Sequence, residues 1–431
     1  MRRRRLLKSA GALGGLAALG PRSRARPYHH DSASGCPAGQ PPRDPPRAYD
    51  DYAVREVPGD YATIQAAVDA AEPRDLVLVD EGVYREGVTV DTPRVTVRGV
   101  DRNAVVLDGG FEHPLAVHAT ADDVVLENLT ARHYTQNAFY WTGVEGYRAS
   151  YLTAYNNNLY GIYAHTSRHG RFDHCYASGH TDSGFYIGES NPSNAVITDV
   201  VAEGNAIGYS GTNSGGCLTL KDSVWRENKA GIVPNSLATG AGGTGPGDYG
   251  QATAPQSAMR IENNEVVANN AAGAPTRDFG DMAFGNGILV PGGTHNEIVD
   301  NVVEDHLNYG IGLVLMFHRG EVFLPEGNRV EGNRVSGSSR ADLALGAPNG
   351  GSNRFAGNDA GSSRPRRLDG GGLGRGVGDL WVTLTLLQQF LRTEFDDYPR
   401  GDWQRAPEPD PQPTMPEPDR PPREAVRREA A

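Results

Sequence analysis

Long apolar runs are missing from this 431-residue chain, and the absence sets a first limit. The stretch SAGALGGLAALG at positions 9–20 is too short to cross a bilayer, so no transmembrane helix is expected. Cysteine is nearly absent. Cys36, Cys175 and Cys217 are the three, and the latter two sit at different offsets of non-adjacent repeats, which argues against a bridge between them. Five methionines and scattered histidines supply no His/Met/Cys cluster, so no metal site or cofactor is expected. Calcium is the one ion whose chemistry the carboxylates would admit, yet no specific motif for it is present. A formal charge of −12 argues against nucleic acid as a partner. P-loop, nucleophile-elbow and HExxH signatures are all lacking. Between Leu126 and Ala360 no apolar run is long enough for a helix, which excludes the helical repeat architectures.

What the chain has instead is a recurring phrase. It reads FDHCYASGHTDSGFYI at 172–187, VITDVVAEGNAIGYS at 196–210, LKDSVWRENKAGIV at 220–233 and IVDNVVEDHLNYGIGL at 298–313. A polar column runs through Asn128, Ser150, His174, Asp199, Asp222, Asn264, Asn301, Asn333 and Asn358, at early intervals of 22 to 25 residues. A second column of small residues precedes Phe139, Ile162, Phe185, Ile207, Ile232, Ile288, Ile311 and Leu343, every one bulky and apolar. A unit this short cannot bury its own apolar face, so neighbouring units must stack to make the core. Two or three short runs of Val, Ile and Tyr per unit, separated by Gly and Asn, then predict an all-β fold: a parallel β-helix, one coil per repeat.

These phrases resemble the PbH1 repeats of right-handed parallel β-helix proteins, the pectate-lyase-like and NosD-like superfamily. TIQAAVDAA followed by LVLVDEGVY, positions 63–71 and 76–84, resembles the cap and first coil of that group. The resemblance implies a right-handed single-stranded solenoid with an N-terminal capping helix.

The chain divides accordingly. Residues 1–26 carry Arg3, Arg4 and Arg5 ahead of the apolar run and read as a twin-arginine signal, hence export from the cytoplasm. A lipid-attachment box ending at Cys36 is a less favoured means of anchoring. Residues 27–52 read as a flexible linker, 53–365 as the β-helix and 373–397 as an amphipathic C-terminal helix covering the solenoid's end or flank. That helix places Leu380, Leu384, Leu387, Leu391 and Phe395 on one face. Residues 398–431, with nine prolines, should be disordered. Three insertions, at 236–256, 271–284 and 317–327, break the period and flank the strands that start at the small-residue column.

Function must be argued from geometry. In those strands alternate residues face outward, so Tyr140, Tyr163 and Tyr186, spaced 23 residues apart, should form an exposed ladder suited to the apolar faces of sugar rings. His180, Asp182 and Glu189 fall near the same edge, with His133 and Tyr155 in preceding turns, and Arg168 and Arg171 as the nearby basic residues. Asn156, Asn157, Tyr160, Gly161 and His165 resemble the NNxxYGxDPHD motif of mannuronan C5-epimerases, which implies His165 as a catalytic base. Here Tyr163, Ala164 and Thr166 stand where that motif has Asp, Pro and Asp. The reading is an exported protein that binds an extracytoplasmic polysaccharide, with lyase- or epimerase-like processing as the further expectation. The alternatives are a non-catalytic NosD-like accessory protein and a structural surface or adhesion module.

Overall fold

The short Val/Ile/Tyr runs fold into strands, and the residues between them turn the chain by adopting left-handed backbone. The computed structural model describes residues 48–238, 254–277, 280–369, 377–393 and 400–425. The twin-arginine segment, Cys36 and most of the 27–52 linker lie outside the described residues. The coils form three parallel sheets of twelve, eleven and eleven strands, called here sheets I, II and III. The architecture is the predicted right-handed β-helix. Sheet I starts at Val54–Val57, sheet II at Val88–Val90 and sheet III at Gly82–Tyr84.

Inward positions stack coil upon coil. In sheet I the column is Val97, Leu126, Ala149, Phe172, Ile197, Leu220, Ile261, Ile298, Val330 and Phe355. In sheet II it is Val117, Phe139, Ile162, Phe185, Tyr209, Ile232, Ile288, Ile311 and Leu343. Tyr209, not the expected Ile207, pairs with Phe185, 24 residues on where the two preceding intervals are 23, and Ile207 pairs with Ser183 instead. Helix α1, Ile64–Asp69, closes the first coil by burying Ile64, Ala67 and Val68, and Thr63 caps it by accepting from the Ala66 N–H.

The polar column is in fact two columns. Strand register aligns Asn128, Tyr151, His174, Asp199, Asp222, Asn263 and Asp300, all at positive φ, as the one-residue turn between sheets I and III. Asn264, Asn301, Asn333 and Asn358 stand one residue later and point inward, each Nδ2 donating to the next Oδ1 at 2.9–3.0 Å. A second internal ladder at the end of sheet III runs through Asn157, His180, Asn205, Asn228, Asn269 and His306. These side chains satisfy turn amides and carbonyls that the sheets leave unpaired.

Two C-terminal expectations need correction. Helix α2, Leu380–Thr393, lies on the flank of sheet II, but through Val382, Thr385 and Gln389. Leu380 and Leu384 are exposed, and Phe395 lies outside the described residues. The docked face is mixed: Val382 joins an apolar cluster on the sheet, with Leu386 against it, while Gln389 Nε2 meets loop carbonyls and donates to Asp281 O and Phe284 O. The proline-rich segment, expected to be disordered, is laid along the coils over residues 400–425 as a strap. Proline leaves carbonyls without neighbouring amide donors, and the coils supply donors instead: Asn156 to Ala406 O, Arg102 to Pro413 O, Arg98 to Pro418 O and the Tyr49 amide to Pro422 O, at 2.8–2.9 Å. Cys175 is free and buried, whereas Cys217 is disulfide-bonded.

Candidate functional site

Sheet II is the sheet that the insertions border. The segment 236–256 leaves its strand Ala230–Asn235, 317–327 follows Tyr309–Val314, and 271–284 precedes Ile288–Pro291. Residues 239–253 and 278–279 of these insertions lie outside the described residues.

The tyrosine ladder is in register, Tyr140 against Tyr163 and Tyr163 against Tyr186. The first pair stacks with ring centroids 4.6 Å apart and the second meets edge to face at 4.8 Å. The stripe is longer than the sequence suggested. His118 stacks on Tyr140 at 4.9 Å, and Tyr160, from the turn before the strand, leans onto Tyr163 at 4.6 Å and Tyr186 at 5.0 Å. Mutual packing of this kind removes the rings from water: Tyr140, Tyr163 and Tyr186 are 4%, 9% and 7% exposed. The ladder is therefore a closed aromatic floor rather than the open platform expected. Gly188 permits it, since a Cβ there would lie 2.0 Å from the Tyr186 ring, which folds back over that residue.

The half-buried groups of this face are His118, Tyr160, His165, Thr166 and Asp182. His165 sits edge-on to Tyr163 at 5.8 Å, and burial pushes its imidazole down to about 4, so it is neutral at pH 7. His118, also pushed down by burial, bonds Thr142 Oγ1 at 2.9 Å, and Thr142 is the strand partner of His165. Two neutral imidazoles thus flank one threonine. Burial raises the Asp182 carboxyl, against the opposing bonds from Ser183 and Tyr160 and the charge of Arg277. Burial and the neighbouring tyrosines hold the Tyr163 hydroxyl well above its ordinary value. At neutral pH the imidazoles of this face are therefore unprotonated and the phenols protonated, each shift making the group a weaker base or acid than it is in water.

Other expected site residues are placed elsewhere. His180 is fully buried inside the solenoid, where Nδ1 meets Asn205 Oδ1 at 2.8 Å; it cannot touch a surface ligand. Its sequence neighbour Gly179 turns the chain at φ 72°, which carries His180 to the inside and leaves Asp182 outside. Glu189 is 7% exposed in the turn after the strand, within 3.4 Å of Asn213 Nδ2, and does not present a free carboxylate to solvent. His133 and Tyr155 lie at the end of sheet III beside Asp108 and Arg132. Arg171 is spent on Asp173 of sheet I at 2.7 Å. Sequence reasoning missed Lys229 and Asp281, a fully buried ion pair of 2.9 Å that ties the 271–284 segment to the coil at Lys229. Among the described residues no three His, Cys, Asp or Glu side chains converge as a metal site requires.

The model of the family described as a right handed beta helix region matches residues 137–335. No curated protein gives a significant match. Among solved structures, the chain is similar to the A-module of the Azotobacter vinelandii mannuronan C-5 epimerase AlgE4, at 17% identity over 72% of this chain and 93% of that one, with a TM-score of 0.43. It is also similar to an alginate lyase from Paenibacillus sp. str. FPU-7, at 13% identity over 70% and 95%, TM-score 0.36. A rhamnogalacturonan lyase matches at 11% identity over 64% and 77%, TM-score 0.45.

Proposed function

We propose that this right-handed β-helix protein binds an extracytoplasmic polysaccharide on the outer face of sheet II and processes it by proton transfer through His165. The carrying observation is a neutral, half-buried imidazole beside a closed aromatic floor, on the sheet that the three insertions border. A neutral imidazole can take the proton that an epimerase or lyase must remove from carbon, and a phenol such as Tyr160 can deliver one. The floor keeps this edge of the site dry, which strengthens any charge interaction made there. The carboxylates of the epimerase motif are replaced by Tyr163 and Thr166, so substrate orientation falls to hydrogen bonds from hydroxyls and the imidazole of His118. The paired arginines near the start support export.

The test is an array of acidic and neutral polysaccharides probed with wild type and His165→Asn, scored for retention and for unsaturated or epimerised product. Retention by both proteins with product from wild type alone is the expected result. Retention without product in wild type reduces the protein to a binding module, and absence of retention on every glycan overturns the reading.

A further inference from the structure

Sheet I carries an excess of cationic groups beneath the strap. Arg148 is 7% exposed, and its Nη2 meets Asp173 Oδ2 at 3.1 Å. Its Nε and Nη1 are buried with no hydrogen-bond partner. The carboxylate it faces is already occupied, since Asp173 also accepts from Arg171 Nε at 2.7 Å and from Ser150 Oγ. From the strap side comes Arg420, whose Nη2 contacts Met415 Sδ at 3.1 Å and approaches Glu127 Oε1 at 3.6 Å, while its Nε is likewise buried and unpartnered. Arg98 takes Glu127 Oε2 at 2.8 Å. Arg423 lies near enough to Arg420, Arg148 and Arg98 that their charges, after burial, lower its proton affinity.

Arg98, Arg148, Arg171 and Arg420 thus share two carboxylates, Glu127 and Asp173, and Glu127 Oε1 has no hydrogen-bond partner. Leaving buried guanidinium N–H groups unmade is costly, and surplus positive charge under a cover is costlier. Water could satisfy the N–H groups but not the charge. A guanidinium presents parallel N–H groups that match the oxygens of a tetrahedral anion. We infer that Arg148 and Arg420 form a binding site for a small inorganic oxyanion, phosphate or sulfate, held between sheet I and the C-terminal strap. The site is independent of the sheet II reading, since it lies on another sheet and needs no sugar.

Calorimetric titration of the full-length protein with inorganic phosphate, and separately with sulfate, in chloride buffer of matched ionic strength tests it. Saturable binding of one anion per chain is expected, weakened at least tenfold in Arg148→Gln and in Arg420→Gln. Arg420 belongs to the strap and not to a coil, so Arg420→Gln decides the matter if Arg148→Gln does not fold. Absence of saturable binding in wild type, or wild-type affinity in the Arg420→Gln protein, overturns the site.

Discussion

Two histidines stand in a ladder otherwise made of asparagine, and they should make this solenoid acid-labile. Asn157 Nδ2 lies 3.3 Å from His180 Nε2, and Asn269 Nδ2 lies 3.3 Å from His306 Nε2. Each ring must therefore accept at Nε2, and protonation would set N–H against N–H in a buried channel. Burial, opposed at His180 by the bond to Asn205, pushes the two rings down to about 4 and about 3. In the unfolded chain both titrate near the ordinary value of 6.5. As pH falls below that value the unfolded state takes up protons first, so stability present at neutral pH is lost between about pH 6.5 and the folded values. At about 1.4 kcal/mol per pH unit, each ring removes roughly 3 kcal/mol by about pH 4. His180→Asn and His306→Asn restore the side chain used at Asn157, Asn205, Asn228 and Asn269, so at pH 7.5 the double variant should unfold within about 1–2 kcal/mol of wild type. Urea unfolding followed by circular dichroism at pH 7.5 and pH 4.5 measures the difference. A double variant that loses as much stability as wild type between those two pH values would refute the ladder argument.

Other perturbations follow from the same geometry. Gly188→Ala places a Cβ against the Tyr186 ring and should cost about 1–3 kcal/mol while disturbing the aromatic floor, read as a changed near-ultraviolet spectrum; an unchanged spectrum and midpoint would contradict the packing. Lys229→Met leaves Asp281, fully buried, with Arg400 Nε at 3.3 Å as its remaining ionic partner, and should lower stability by about 3–5 kcal/mol in thermal or urea unfolding. Truncation after Pro399 removes the carbonyls that Arg98 and Arg102 use, and should lower the unfolding midpoint and open the first coils to proteolysis; equal protease resistance would mean the strap does not clamp them. Ile232→Asp puts an unpaired charge in the inward column of sheet II and should cost several kcal/mol, with wild-type stability arguing against the register.

The aromatic face shows how far a periodic sequence can be read. Tyr140, Tyr163 and Tyr186 share an outward column because a strand alternates its faces and the coil length is constant there, and both facts are local. Their burial is not local. It depends on Tyr160 swinging in from a turn and on Gly188 leaving room for Tyr186 to fold back. His180 shows the converse case: a histidine in a polar stretch reads as a surface group, yet one turn directs it inward, where it replaces an asparagine of the ladder.

By itself the sequence determined the solenoid, its cap, the inward apolar columns and the sheet that the insertions would flank, because stacking forces each coil to repeat the same inside and outside choice. Small slips were legible only in register, as with Tyr209 in place of Ile207 and the two polar columns merged into one. Tertiary structure alone decided what covers an outward residue, which face of α2 docks, and that the proline-rich residues 400–425, with eight prolines, are held against the coils. The physical reason is that repeats encode contacts between adjacent coils at a fixed separation, whereas the strap joins residues about 300 positions apart, as Arg102 to Pro413 and Arg98 to Pro418, and no period carries that information.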